Sequence, residues 1–178
     1  HELTTPFREK HPDVSIAILS RTSTEIKALL DDLQIDAGIT YLDNEPLGRV
    51  TSIPLYRERY QLVTSNLKEL GDYEAITWRE AASLPLCLLT PDMQNRRIID
   101  QQLHMAGAKV SATLESDSMI ALFTHVQTGN WASIMPEKMV ESFGMRDRVK
   151  AIPIIEPDAS QTVGLIAAKR EPATPVVS

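Results

Sequence analysis

The chain has 178 residues, 43% of them hydrophobic and 24% charged, a composition typical of a soluble globular protein with one domain or two small lobes. It holds no run of eighteen apolar residues, so we expect no transmembrane helix. Its formal charge of −6, from 24 acidic and 18 basic residues, disfavours binding of a phosphate backbone by this chain itself. The single cysteine, Cys87, cannot form an internal disulfide, and we expect a buried core thiol and a reducing, cytoplasmic setting.

The first part of the chain predicts a helix followed by a buried strand. Leu3 and Phe7 are four residues apart and would lie on one face of a helix. That helix should stop at His11, because Pro12 disfavours the helical conformation in the residue before it. Apolar residues then dominate Val14–Ile18, which predicts a largely buried strand.

A second helix and a second strand follow directly. Thr22 and Glu25 form the sequence pattern of a capping box, which predicts a helix start. Behind them runs an apolar stripe at helical spacing, formed by Ile26, Leu29, Leu30 and Leu33. Asp36–Tyr41 has the length of the next buried strand. A strand, a helix and a strand at this spacing predict a right-handed crossover with a parallel strand pair.

The remaining chain alternates strands and helices in the same manner. Further strands are predicted at Val50–Leu55, Arg59–Thr64, Leu86–Leu89, Val110–Leu114, Trp131–Met135, Val149–Ile155 and Thr162–Ala168. Further helices are predicted to start at Thr77, at Asp92 or Gln94, at Ser116 or Ser118, at Glu137 and at Pro172. The alternation occurs once before Thr64 and again from Leu86 to Pro136, which predicts an α/β fold with two doubly wound lobes.

A candidate ligand site follows from this topology, because ligands of open α/β sheets bind beyond the carboxyl ends of the strands. The residues at these predicted ends are rich in hydroxyl groups and begin helices, whose free N–H groups favour anionic atoms. They are Ser20, Arg21, Thr22, Thr40, Tyr41, Thr90, Pro91, Asp92, Ser116 to Ser118 and Ser133 to Pro136. We predict a site for a small carboxylate or oxyanion, with Thr22, Thr40 and Thr90 as hydrogen-bond donors. The alternative is that these threonines only cap helices.

Several segments resemble the effector-binding domain of LysR-type transcriptional regulators. Phe7, Pro12 and Val14, followed by a capped helix, are similar to the opening of that domain. PLYRERYQLVTS, ITWREAASLPLCLL and ESDSMIALFTHVQTGNWASIMP are similar to three of its later segments, in the same order. The chain departs from the family pattern at Leu33, where a glycine is usual, and at Trp131, which replaces the second glycine of a Gly-x-Gly. The first strand of the family's domain would lie just before the first residue of this chain.

The resemblance implies a type 2 periplasmic-binding-protein-like fold, in which two lobes are joined by two crossover strands and a ligand cleft lies between them. Lobe I would comprise residues 1–62 and 164–178, and lobe II would comprise residues 63–163. The crossovers would lie near Gln61–Ser65 and Gln161–Leu165. Such a hinge would let the lobes move relative to each other.

The resemblance also implies effector contacts, at Thr40 and Tyr41 and from Thr90 to the start of the following helix. There Asn95 and Arg96 would face the ligand. Arg96 would make charge-assisted contacts to an anion, or else lie on a solvated helix face. Trp131 would form an aromatic wall of the cleft, or else pack in the core.

The function that the resemblance implies is effector sensing by a transcriptional regulator. A small metabolite bound between the lobes would alter the lobe angle, and so the activity of the full-length protein. DNA would be bound only by an N-terminal helix-turn-helix domain that precedes this chain. The domain would form a homodimer, within a higher oligomer of the full-length protein. A solute-binding protein of a transport system, which shares the architecture, is the alternative.

Catalytic and cofactor motifs are missing from the sequence. It contains no Gly-x-Ser-x-Gly elbow, His-Glu-x-x-His pair, phosphate-binding glycine-rich loop or Cys-x-x-Cys. The four histidines are scattered along the chain. We therefore expect no enzymatic activity, no cofactor and no metal site.

Overall fold

The described strands form two separate β-sheets, and helices pack against them. The computed structural model describes residues 2–43, 45–109, 111–143 and 149–169. The helices are α1 (Thr4–Lys10), α2 (Ser23–Asp31), α3 (Leu67–Leu70), α4 (Trp78–Ala81), α5 (Gln94–Met105), α6 (Met119–Val126) and α7 (Glu137–Ser142). The strands are β1 (Ala37–Tyr41), β2 (Val50–Glu58), β3 (Tyr60–Thr64), β4 (Ile76–Thr77), β5 (Leu86–Leu89), β6 (Ala112–Ser116), β7 (Ala132–Pro136), β8 (Lys150–Ile155) and β9 (Gln161–Ala168).

Among the described residues, the first sheet has three strands in the order β1-β9-β2. β9 comes from the far end of the described chain, lies between the two early strands and is antiparallel to both. Helix α2 packs closely on one face, where a Cβ added to Gly38 would clash with Ile26. The opposite face carries the row of Ile39, Leu165 and Ile53, which are cross-strand neighbours.

The second sheet, as far as the structure describes the chain, has six strands in the order β4-β8-β3-β7-β5-β6. β5 is parallel to β6 and β7, whereas β3 is antiparallel to both of its neighbours. One hydrophobic core cluster joins Leu62, Leu86, Leu88, Ile134 and Ile152 to Trp78, Ile98, Ile99 and Leu103. A second cluster joins Val63, Cys87 and Met135 to Leu122 and Val126. Because neighbouring residues of a strand face opposite sides, helices cover both faces of this sheet.

The chain passes between the sheets twice. It leaves the first sheet at Glu58 and enters the second at Tyr60, and it returns between Ile155 and Gln161. We call the parts that carry the three-stranded and six-stranded sheets lobe I and lobe II. The predicted α/β fold with two lobes and two crossovers is confirmed. The lobe boundaries given by the resemblance stay predictions, and β3 pairs wholly within the second sheet.

One strand prediction is wrong. Val14–Ile18 is not part of any strand, and Ile18 is 80% exposed. A strand needs a neighbour for its N–H and C=O groups, and β1, the expected neighbour, pairs with β9 alone among the described residues. The predicted parallel pair between this segment and the strand after α2 is therefore not formed in the described part of the chain.

The apolar stripe of α2 ends one turn earlier than its spacing predicts. Leu30 is fully buried, but Leu33 is 60% exposed and has a φ of 58°. The N–H of Leu33 bonds to Leu30 O, and the N–H of Gln34 bonds to Leu29 O. These two bonds form a Schellman motif, which ends the helix and directs Leu33 into solvent.

Helix starts agree with the predictions within one or two residues. Thr22 and Glu25 form a complete capping box at α2. Met93 is the N-cap of α5, and Ser118 is the N-cap of α6, where its hydroxyl accepts from Ala121 N–H. The helix predicted to start at Pro172 lies outside the described residues.

Candidate functional site

The start of α5 in lobe II contacts the carboxyl end of β1 in lobe I. The Thr40 hydroxyl donates to Gln94 Oε1 at 3.1 Å, and both residues are buried. Gln94 is the first residue of α5 and follows Thr90 by four positions. The bond thus joins the lobes and brings Thr40 and Thr90 to the same side of the molecule.

A second interlobe contact surrounds the hydroxyl group of Tyr41. Asn95 Nδ2 donates to this hydroxyl at 3.1 Å, and the Tyr60 hydroxyl lies 3.3 Å from it. Burial raises the pKa of Tyr41, and it raises the pKa of Tyr60 as well. Both hydroxyls therefore stay protonated at neutral pH and keep their capacity to donate hydrogen bonds.

Two polar atoms beside these contacts are buried without a hydrogen-bond partner in the described chain, namely Thr90 Oγ1 and Asn95 Oδ1. Asn95 is 8% exposed. A buried polar atom left unpaired costs about 1 to 3 kcal/mol, so each of these atoms needs a partner such as an ordered water, an ion or a ligand. The N-cap of α5, Met93, makes no side-chain bond to the first N–H groups of the helix. The start of α5 thus combines unpaired polar atoms with the positive end of a helix dipole.

Arg96 points into its own lobe. Its side chain is 7% exposed, and its Nη1 donates to Leu89 O and to Glu115 Oε1, each at 2.6 Å. Its Nε donates to Asp100 Oδ1 at 2.7 Å. Both carboxylates belong to lobe II, so the charge of Arg96 is already balanced there. An effector contact of Arg96 stays a prediction.

The neighbouring Arg97 reaches across to lobe I, which sequence reasoning missed. Its Nη2 lies 2.6 Å from Glu45 Oε1 and 3.2 Å from Ser23 Oγ. Gln94 and Arg97 are three residues apart and share one face of α5, whereas Arg96 lies about 100° away around the helix axis. This spacing shows in the sequence that the two arginines face different directions, and the structure decides which of them meets lobe I.

Three further predicted residues lie on or near the start of α2. Arg21 is exposed and donates to Ser20 O at 2.7 Å. The Thr22 hydroxyl takes part in the capping box, so the capping role predicted as the alternative is present. A ligand contact of Thr22 stays a prediction. Hydrogen bonds from Thr22 hold the pKa of Glu25 below its usual value, and the nearby carboxylate of Asp92 opposes this shift. Asp92 itself is exposed.

The structure does not bring Trp131 together with the other candidate residues. Trp131 precedes β7, whose first residue, Ala132, pairs with Leu86 at the amino end of β5. Thr90 follows the carboxyl end of the same strand, roughly 13 Å away at 3.3 Å per residue. The indole N–H of Trp131 donates to Thr113 Oγ1 at 3.1 Å, and its ring lies edge-on to His125. Trp131 therefore lies at the amino end of β5, whereas the interlobe contacts lie beyond its carboxyl end.

The sequence profile of the LysR substrate binding domain family matches residues 2–178. The chain belongs to this family. The resemblance seen in the sequence is confirmed, and the type 2 periplasmic-binding-protein-like fold is that of the family's effector-binding domains.

This LysR domain is similar to several curated proteins and solved structures. A probable hydrogen peroxide-inducible genes activator of Mycobacterium avium is 27% identical over 164 residues, which are 89% of this chain and 51% of that protein. The reduced OxyR regulatory domain from Pseudomonas aeruginosa has a TM-score of 0.83 and 18% identity, over 98% of this chain and 84% of that chain. The effector-binding domain of QuiR in complex with shikimate has a TM-score of 0.80 and 20% identity, over 98% and 83% of the two chains. The chain spans about half the length of the curated relatives it matches.

Among the candidate residues of the LysR domain, Thr40, Tyr41 and Asn95 make interlobe contacts, whereas Arg21 and Asp92 are exposed. Two surface cavities of about 560 Å³ each lie elsewhere, one beside Arg49 and Lys169 and the other between α1 and Ile16. Among the described residues, no group of three or more His, Cys, Asp or Glu could hold a metal ion. No described helix is long and apolar enough to cross a membrane.

Proposed function

We propose that this domain senses a small anionic metabolite, which binds between the lobes at the start of α5 and alters DNA binding or transcription activation by the full-length regulator. The observation that carries the proposal is the pair of buried, unpaired polar atoms, Thr90 Oγ1 and Asn95 Oδ1, beside bonds that join the lobes. A ligand that bonds to both atoms recovers their desolvation cost.

The chemistry of the site favours a carboxylate that also carries hydroxyl groups. The first N–H groups of α5 and the hydroxyls of Thr40 and Thr90 suit an anion. Asn95 Oδ1 accepts a hydrogen bond and so suits a ligand hydroxyl. Shikimate, which is bound by the QuiR domain, is a carboxylate with hydroxyl groups and fits this description.

The lobes supply the means of signalling. A ligand can shift the balance between two lobe arrangements only when it binds one of them better. Bonds from α5 to Thr40 and Tyr41 are the contacts that such a ligand would rearrange. We infer that the domain works as a homodimer in the cytoplasm, binds its effector without turnover, and contacts DNA only through a helix-turn-helix domain elsewhere in the full-length protein.

A thiol switch within this part of the protein is disfavoured, although relatives include a peroxide-inducible activator. An intramolecular disulfide needs two cysteines, and these 178 residues contain one. Cys87 is fully buried in β5, and burial raises the pKa of its thiol. Reactive sensor cysteines are exposed and have a lowered pKa.

The proposal is tested with thermal unfolding in the presence of shikimate and related hydroxylated carboxylates. A ligand at one hundred times its Kd should add about 2.7 kcal/mol to the free energy of unfolding. Thr90→Val should abolish this gain while making the ligand-free protein more stable, because it removes an unpaired buried hydroxyl. Thr51→Val, at an exposed strand position, is the matched control. Ligand stabilisation that survives in Thr90→Val, or a destabilised ligand-free variant, would contradict the proposed site.

A further inference from the structure

The Glu45 carboxylate of lobe I pairs with one edge of the Arg97 guanidinium of lobe II. Glu45 Oε1 lies 3.0 Å from Nε and 2.6 Å from Nη2 of Arg97, and Nη2 also donates to Ser23 Oγ at 3.2 Å. Glu45 follows β1, whereas Arg97 lies near the start of α5. The contact therefore joins the two lobes.

The other oxygen of Glu45 is held within lobe I. Ser23 Oγ donates to Oε2 at 3.3 Å, and Lys27 Nζ lies 3.9 Å from the same oxygen. Ser23 is the first residue of α2 and is 7% exposed. The carboxylate thus lies beside the start of one helix and next to a cation at the start of another, an arrangement that suits an anion.

Arg97 differs from Arg96 in the origin of its partner. The carboxylates that neutralise Arg96, Asp100 and Glu115, come from its own lobe and stay in place when the lobes move. The carboxylate that neutralises Arg97 comes from the opposite lobe. Opening the cleft or displacing Glu45 would free the Nε–Nη2 edge, which matches the geometry of a carboxylate or oxyanion.

We propose that Arg97 is the anion-binding residue of the cleft and that Glu45 competes with the effector for it. This inference rests on the proposed function and adds two residues to its site. Nη1 of Arg97 donates to the carbonyl oxygens of Pro91 and Asp92. These bonds hold the guanidinium in place while its Nε–Nη2 edge exchanges Glu45 for the anionic group of the ligand. The Glu45 carboxylate leaves Arg97 when a ligand's anionic group arrives.

Competition with an attached carboxylate makes the site selective. Glu45 belongs to the same chain and so competes at a high effective concentration, which an anion that offers no other contact does not overcome. A ligand that also bonds to Thr90 Oγ1, which lies two residues before the Asp92 carbonyl that Arg97 contacts, gains enough to do so. The site therefore admits hydroxylated carboxylates and rejects simple inorganic anions.

The test uses inorganic sulfate as the probe, at constant ionic strength maintained with chloride. Sulfate binding is measured by calorimetry and thermal unfolding in the wild type, Glu45→Gln and Glu45→Gln/Arg97→Gln. We expect Glu45→Gln to bind sulfate at least tenfold more tightly than the wild type, and the double variant to lose this gain. Glu9→Gln, which makes the same change of charge at an exposed position of α1, should behave as the wild type does.

Sulfate affinities of the wild type and Glu45→Gln that agree within twofold, or no binding to either, would overturn the inference. So would tight binding that persists without Arg97. Should the double variant not fold, Arg97→Lys in its place keeps the charge but not the two-donor edge, and should recover only part of the gain. Failure of the proposed function is distinguishable, because it is decided by hydroxylated carboxylates and Thr90→Val rather than by sulfate and Glu45→Gln.

Discussion

The end of α2 makes a measurable prediction about backbone conformation. Leu33 follows the helix with a φ of 58°, a left-handed conformation that costs an L-residue about 1 to 2 kcal/mol. Glycine avoids this cost but loses about 0.5 to 1 kcal/mol through its greater freedom in the unfolded chain. Leu33→Ala removes the side chain and keeps the strain, whereas Leu33→Gly removes both. We therefore expect the glycine variant to be more stable than the alanine variant by about 0.5 to 1 kcal/mol.

The measurement is reversible thermal or urea unfolding of the two variants side by side. A difference of this size corresponds to about 1 to 4 °C in Tm for a protein of this length. Ala28→Gly, at an exposed position inside the same helix, is the control and should cost about 1 kcal/mol. Glycine should be more stable than alanine at position 33 and less stable than alanine at position 28, and this difference in sign decides the prediction. An alanine variant at Leu33 as stable as the glycine variant would refute the argument.

Two further predictions concern buried titratable groups. Glu58 is 3% exposed, and burial raises its pKa although Lys138 N–H donates to it. Folding therefore favours the protonated form of Glu58. The stability that this form contributes is fully present below the pKa that Glu58 has in the unfolded chain, and it is lost as the pH rises through the higher pKa of the folded protein. Glu58→Gln should gain Tm relative to the wild type at pH 7 and not at pH 4; an equal difference at both would contradict this assignment. Cys87 is fully buried, so the native protein should not react with a thiol reagent until it unfolds, as a time course of thiol labelling with and without denaturant would report. Rapid labelling of the native protein would show that β5 is accessible.

Local features of the sequence determined much of what could be predicted. The capping box of Thr22 and Glu25 depends on residues three apart, and it forms as the sequence indicates. The apolar run Leu86–Leu89 lies between Pro85 and Pro91, and it forms the fully buried β5. Val14–Ile18 has an equally apolar pattern but forms no strand, because a strand depends on a neighbour distant in sequence.

The site shows the same limit. Strand ends and the family resemblance predicted a site of Thr40, Tyr41, Thr90 and Asn95. The structure joins Thr40 to Gln94 and Tyr41 to Asn95, and Thr90 lies four residues before Gln94. The choice between Arg96 and Arg97 depends on the rotation of α5 about its axis, which composition does not reveal. Glu45 lies in a loop with no periodic pattern, so only the folded chain shows that it meets α5.

The position of β9 has a consequence for biosynthesis. Within the described part of the chain, β1 and β2 pair only with β9, so lobe I cannot complete this sheet until residues 161–168 have left the ribosome. The strands of lobe II all lie between Tyr60 and Ile155 and are available earlier. We expect nascent chains to assemble the six-stranded half first, while β1 and β2 wait with open edges that are prone to aggregation. Chains terminated just before Gln161 should then retain the lobe II core and associate through lobe I.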